Sequence, residues 1–174
     1  MKKGIIVYKS KYGSTKKYVD WLEKETKFDC ITIDQANKNL VKDYDTIILA
    51  APVYASTISG LSFLKKVNKE LKNKKVAIFC VGISLDDEET FEQIKSQNLK
   101  NNLKEIPCFY GLGAWDLNKM SRKDRILCKL LQKYIVKQDP KTYEPWQKAL
   151  AKTIGKTVDW TDKKYLTPLL DWLK

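Results

Sequence analysis

Five short apolar runs, set apart by polar or amphipathic stretches, constrain this chain more than any other feature. They fall at residues 4–8, 30–33, 46–51, 76–81 and 107–112. Between them, segment 15–26 places Tyr18, Val19 and Leu22 on one helical face, and segment 59–71 spaces Leu61, Leu64, Val67 and Leu71 by three and four. Strands that are apolar along their length and alternate with helices need cover on both faces. A parallel sheet between two helical layers supplies it. The expected class is therefore α/β, with a doubly wound five-stranded parallel sheet. Such sheets bind ligands beyond the carboxyl ends of their strands, where strand order reverses. Functional residues are expected just after strands one, three and four.

The 174 residues fit a single domain spanning 1–174, large enough to bury a core without metals or disulfides. Extra helical segments follow strands four and five. Residues 84–105 read as a loop plus a helix. In 115–160 the pairs Ile126/Leu127, Leu130/Leu131 and Tyr134/Ile135 recur every four residues, which makes a helical stripe. A further helix is expected from Pro145 to residue 154, with Gly155 as its stop. Pro168 either kinks the last helix or follows Thr167 acting as its cap.

No run approaches the roughly 20 apolar residues of a membrane-spanning helix, and the run at 4–8 is too short for a secretory signal. A cytoplasmic location is expected, with peripheral attachment to the inner face of the membrane left open. Cys30, Cys80, Cys108 and Cys128 include no Cys-x-x-Cys pair, and with three of them in apolar, strand-like runs they read as buried free thiols rather than a metal site or disulfides. The absence of histidine excludes histidine triads, histidine zinc sites and histidine bases. Asp86, Asp87, Glu88 and Glu89 read as acids at a helix start, where the dipole favours them, and no metal is expected.

Chemistry is concentrated after the first strand, in Ser10-Lys11-Tyr12-Gly13-Ser14-Thr15. A loop between an apolar strand and an amphipathic helix can aim backbone N–H groups at an anion, helped by the helix dipole. Ser10, Ser14 and Thr15 add hydroxyl donors, and Gly13 permits a tight turn. A phosphate fits such a site, although a Ser/Thr-capped helix start explains the same residues. The spacing matches neither a nucleotide P-loop nor a dinucleotide fingerprint. After strand three, Pro52, Val53, Tyr54 and Ala55 could offer backbone donors and cover to a flat heteroaromatic ring. After strand four come Gly82, Ile83 and Ser84, where Gly82 allows close backbone approach.

These segments carry a resemblance. Ser10 to Thr15 resembles the flavodoxin phosphate loop, with Tyr12 standing where the family has a small hydroxyl residue. Ala50 to Ala55 is similar to the Pro-Val/Ile-Tyr-Ala segment of flavodoxin-like proteins. The resemblance implies strand order 2-1-3-4-5 and noncovalent flavin mononucleotide (FMN) as cofactor. Ser10 to Thr15 would then hold the phosphate, and Pro52 to Ala55 with Gly82 to Ser84 would frame the ring. Within the family, Tyr110 to Trp115, Arg122 to Arg125 and Val158 to Asp162 resemble the quinone-dependent protoporphyrinogen dehydrogenase branch. An FMN-dependent oxidoreductase is thus implied, with catalytic residues unknown and a small-molecule or protein redox partner. A flavodoxin electron carrier and a non-catalytic interaction module that has lost tight FMN binding stay open.

Net charge is +12, which favours a polyanionic partner or simply describes a lysine-rich solvated surface. Between Asp116 and Lys137 stand seven basic residues and two acidic ones. A helix over 116–138 with that charge on one face and leucines on another can lie on an anionic membrane or bind an acidic redox partner. Alternatively its leucines pack on the domain and its lysines are merely solvated. Nucleic acid is not indicated, since no motif interleaves aromatics with the charges.

Overall fold

The computed structural model describes residues 3–84 and 88–174. Strands β1 (Gly4–Tyr8), β2 (Asp29–Thr32), β3 (Thr46–Tyr54), β5 (Lys75–Gly82) and β6 (Cys108–Leu112) pair in parallel in the order β2-β1-β3-β5-β6. These five are the strands foreseen from the apolar runs, in the order 2-1-3-4-5. A short β4 (Thr57–Ile58) returns antiparallel against the end of β3. The helices are α1 (Ser14–Thr26), α2 (Lys38–Lys42), α3 (Leu61–Lys66), α4 (Glu88–Asn98), α5 (Arg122–Val136), α6 (Pro145–Ala151) and α7 (Thr167–Leu173).

Alternation along each strand sends its apolar residues to two different cores. Ile5, Val7, Ile47, Leu49, Ile78 and Cys80 meet Leu61 and Leu64 of α3 and Ile94 of α4. Their neighbours Ile6, Ile48, Ala77 and Phe79 meet Tyr18, Val19 and Leu22 of α1 and Leu169 of α7. Burying a side chain such as Leu22, Ile48 or Phe79 contributes roughly 1.5–3 kcal/mol each, so the doubly wound arrangement follows from strands with no polar face. The Tyr18 hydroxyl crosses from α1 to donate to the Leu112 carbonyl at 2.7 Å and to accept from the Asp162 N–H at 3.2 Å.

The structure departs from the sequence reading at several boundaries. Strand β3 continues past residue 51 to Tyr54, because β4 gives its end a partner. The helix expected over 59–71 is α3 followed by a 3-10 turn at Asn68–Leu71. Helix α6 stops at Ala151, and Gly155 follows with φ +69°. A 3-10 turn (Lys163–Leu166) leads straight into α7, so Pro168 occupies a first-turn position where its missing N–H costs nothing, and no side chain caps the helix. An unforeseen pair, β7 (Ala114–Trp115) and β8 (Val158–Asp159), closes the segment between β6 and α7. That segment has its own small core around Trp115, Ile135 and Leu150.

The stripe on α5 does not pack as one face on the domain. Ile135 is buried and Leu131 half-buried, whereas Ile126, Leu127, Leu130 and Tyr134 are 55–61% exposed. The repeat of adjacent pairs is wider than the strip the domain covers. The four thiols are free, but only Cys80 is fully buried. Asp86 and Asp87 lie outside the described residues, while Glu88 and Glu89 occupy the first turn of α4. Among the described residues no cluster of histidine, cysteine and acidic side chains could hold a metal ion, and no helix is long and apolar enough to cross a membrane.

Candidate functional site at the carboxyl ends of β1 and β3

Strand β1 ends at Tyr8, and the chain turns through Ser10–Gly13 into α1. Gly13 takes the left-handed conformation (φ +97°) that a side-chain-bearing residue adopts at a cost. It therefore stands at the head of α1 without offering a capping side chain. The first turn of the helix keeps its amides unspent, as helix starts do. Lys17 N–H reaches the Gly13 carbonyl at 2.9 Å and Lys16 N–H reaches Ser10 Oγ at 3.3 Å. The N–H groups of Tyr12, Gly13, Ser14 and Thr15 have no hydrogen-bond partner among the described residues. An ideal Cβ at Gly13 would meet nothing within 4 Å, so this turn is open on its glycine side. Free amides at a positive helix end fit a phosphate. The Ser14 hydroxyl accepts from Ala114 N–H at 3.1 Å and retains its own proton to donate. Thr15 is buried.

The second loop follows from β3. Pro52 is buried and lies opposite Val81, and Val53 and Tyr54 pair with Ile58 and Thr57. Two residues, Ala55 and Ser56, close this hairpin, both with positive φ (45° and 60°). A tight hairpin needs such dihedrals, and Asn-Gly supplies them far more cheaply. The strained pair is held from outside. Asn98 at the end of α4 donates through Nδ2 to the Ser56 carbonyl at 2.6 Å and accepts from Ile58 N–H at 2.9 Å through Oδ1. Sequence reasoning missed Asn98, which carries no motif and acts from 42 residues away.

The two loops face one another. Ser10, Lys11, Pro52 and Tyr54 line a cavity of about 370 Å³ together with Tyr8, Ile33 and Ser59. Tyr54 is 42% exposed. Its phenol is pushed up to about 12, first by desolvation and against the pull of Lys11, so it stays neutral at physiological pH.

The third expected segment sits differently. A Cβ on Gly82 would strike the Tyr110 hydroxyl, so the close approach that this glycine permits is made by Tyr110. That hydroxyl accepts from Ser84 N–H at 3.0 Å. Ile83 packs into the Trp115 core, and Ser84 lines a separate cavity of about 390 Å³ beside Phe91 and Tyr110. The structure thus brings Ser10 and Lys11 together with Pro52 and Tyr54 around one cavity, whereas Tyr12–Thr15, Val53, Ala55 and Gly82–Ser84 do not line it. Trp115 is buried with its indole N–H unpartnered among the described residues.

The position where Tyr12 departs from the flavodoxin pattern has its own partner. The Tyr12 hydroxyl donates to Asp124 Oδ2 in the first turn of α5, Lys11 Nζ pairs with the same oxygen, and Ser121 N–H donates to the Tyr12 hydroxyl at 3.3 Å. The Lys11 ammonium, then the Tyr12 hydroxyl, hold the Asp124 carboxyl below its usual value, and Asp124 raises Lys11 in return. The loop is therefore tied to the helix that follows β6.

The sequence matches the family model described as "Flavodoxin domain" over residues 5–142. Among solved structures, the chain is similar to the two-electron reduced flavodoxin of Megasphaera elsdenii (20% identity, 62% of this chain and 82% of that one, TM-score 0.47). It is also similar to a flavodoxin, WrbA-like protein from Agrobacterium tumefaciens (19%, 72% and 88%, TM-score 0.47). A third is a flavoprotein in complex with FMN from Lactobacillus acidophilus (16%, 64% and 93%, TM-score 0.41). No curated protein matches at a significant level. Since the family match takes in β1 through α5 without a break, this chain belongs to the flavodoxin-domain family.

Proposed function

We propose that this protein is an FMN-dependent redox protein that exchanges electrons in pairs between a reduced small molecule and a quinone. The observation that carries the FMN reading is the open turn at Gly13, whose unpaired amides at the head of α1 follow directly on Ser10 and Lys11, two residues that line a cavity with Pro52 and Tyr54. FMN, when bound, would supply the redox chemistry. The chain's own work is to bind and orient. The N–H groups of Tyr12 to Thr15 and the Ser14 hydroxyl would hold the phosphate, while Pro52, Val53 and the neutral phenol of Tyr54 would line the ring's surroundings. No residue is assigned as a catalytic acid or base, in keeping with a chain that has no histidine.

The two-electron, quinone-linked part of the reading rests on two features. The segments Tyr110–Trp115 and Arg122–Arg125 resemble the protoporphyrinogen dehydrogenase branch. The net charge of +12 is opposite in sign to what a carrier docking on basic partners needs. In the overall reaction the substrate gives up two electrons and two protons, and the quinone takes up both to become a quinol. Free thiols accord with a reducing, cytoplasmic setting. The test is anaerobic reduction of the FMN-loaded protein, followed by mixing with a water-soluble quinone. Stoichiometric quinol formation with repeated turnover supports the reading. Reoxidation by one-electron acceptors alone overturns it in favour of a plain electron carrier.

A further inference from the structure

Five of the six exposed large hydrophobic side chains described belong to α5: Ile126 (61%), Leu127 (56%), Leu130 (58%), Tyr134 (55%) and Val136 (63%). At about 100° per residue, Ile126, Leu130, Tyr134 and Leu127 form one continuous strip, and Arg122, Lys129 and Lys133 form the row beside it. Lys123 and Lys137 stand at the two ends of the strip. The opposite side of the helix, with Leu131, Gln132 and Ile135, faces the Trp115 core, so α5 is anchored with its apolar strip outward. Arg125 points inward to the carbonyls of Leu117, Asn118 and Met120. Among the described residues, Arg122, Lys123, Lys129, Lys133 and Lys137 form no ion pair.

We infer that α5 is a membrane-docking helix that lies in the interface of an anionic lipid bilayer, with Ile126, Leu127, Leu130 and Tyr134 among the acyl chains and its basic row on lipid phosphates. A helix with bare aliphatic side chains beside unpaired cations meets the two demands of such an interface at once. Charge type favours lipid over a protein partner. Four of the five free cations are lysines, which protein interfaces exclude from their centres, whereas a layer of anionic headgroups attracts them as point charges. The grip of Asp124 on Lys11 and Tyr12 would hold the phosphate loop close to the docked helix. The docking proposal does not depend on the flavin reading.

The experiment is co-sedimentation of the full chain with vesicles of phosphatidylcholine alone and of phosphatidylcholine mixed with phosphatidylglycerol. The proposal predicts pelleting with the anionic vesicles only, weakened by salt. Leu127→Ser/Leu130→Ser and Lys129→Gln/Lys133→Gln should each reduce partitioning roughly tenfold or more. Because all four side chains are exposed, both variants should keep the wild-type melting temperature. Absence of pelleting, equal pelleting with neutral vesicles, or pelleting unchanged in both variants would overturn the proposal. So would a dimer that Leu127→Ser/Leu130→Ser abolishes while vesicles go unbound, which would give the strip to a second copy of the chain. Binding to an acidic protein without any to vesicles would likewise overturn it.

Discussion

The hydroxyl of Tyr12 donates to the carboxylate of Asp124, joining the loop after β1 to a helix that begins more than a hundred residues later. Lys11 shares the same oxygen. Where the family places a small hydroxyl residue, this chain has a side chain long enough to reach α5. Tyr12→Phe and Asp124→Asn should therefore release the first turn of α5, read as faster amide exchange at residues 121–125, while the sheet's protection stays as it was. The pH dependence follows from the two shifts. Asp124 is lowered from 3.8, so its contribution is complete above that value and fades as pH falls through the lower folded value. Lys11 is raised from 10.5, so its contribution is complete below that value and fades as pH rises through the higher one. Exchange at 121–125 should thus be least sensitive to the mutations outside that window, and added salt should weaken the tie, because both side chains are partly exposed.

Gly13 separates backbone need from space. Its φ of +97° strains any residue with a Cβ, although a Cβ would touch nothing. Gly13→Ala should cost about 1–3 kcal/mol of stability, and Gly13→Asn less, since asparagine tolerates the left-handed region. Urea unfolding of the two variants checks the order, and an equal cost for both would point to a steric cause instead.

At the β3–β4 hairpin the strain lies in Ala55 and Ser56. Ala55→Asn with Ser56→Gly should raise stability, by up to roughly 1 kcal/mol for each position relieved. Asn98→Ala strips the hairpin of its outside support and leaves Ile58 N–H unpaired, at a cost of about 1–3 kcal/mol. Both effects should appear as shifts in the urea midpoint with unchanged slope.

Gly82 and Tyr110 form a pair that a double-mutant cycle can read. Gly82→Ala drives a methyl group into the Tyr110 hydroxyl and should cost about 1–3 kcal/mol. Tyr110→Phe removes the acceptor of Ser84 N–H and should cost about 1–3 kcal/mol by itself. The double variant should cost less than the sum, because losing the hydroxyl makes partial room for the methyl.

Apolar runs such as Ile5 to Val7 and Ile47 to Ala51 made the parallel sheet legible, because strands buried on both faces leave no polar residues to blur the pattern. The loop at Gly13 was legible for the same local reason: glycine, hydroxyls and a helix start lie within six residues. Asn98 and Asp124 were not, because each works across the fold on a segment remote in sequence. Gly82 was legible as a close approach, but its neighbour Tyr110 sits on the adjacent strand, and only register brings them together. The stripe of α5 marked a helix, but that helix runs from Arg122 to Val136 and not over 116–138, because Asp116 caps a separate 3-10 turn at Leu117–Lys119. Its periodicity could not say that the domain covers only the Leu131 and Ile135 side.

The most direct test of the central claim is equilibrium titration of FMN against the apoprotein, followed by flavin fluorescence. Saturable binding at a single site is expected, weakened about tenfold or more by Gly13→Ala, as follows if even one charge-assisted hydrogen bond to the phosphate is lost. No saturable change in fluorescence, with a protein whose cooperative thermal unfolding shows that it is folded, would contradict it.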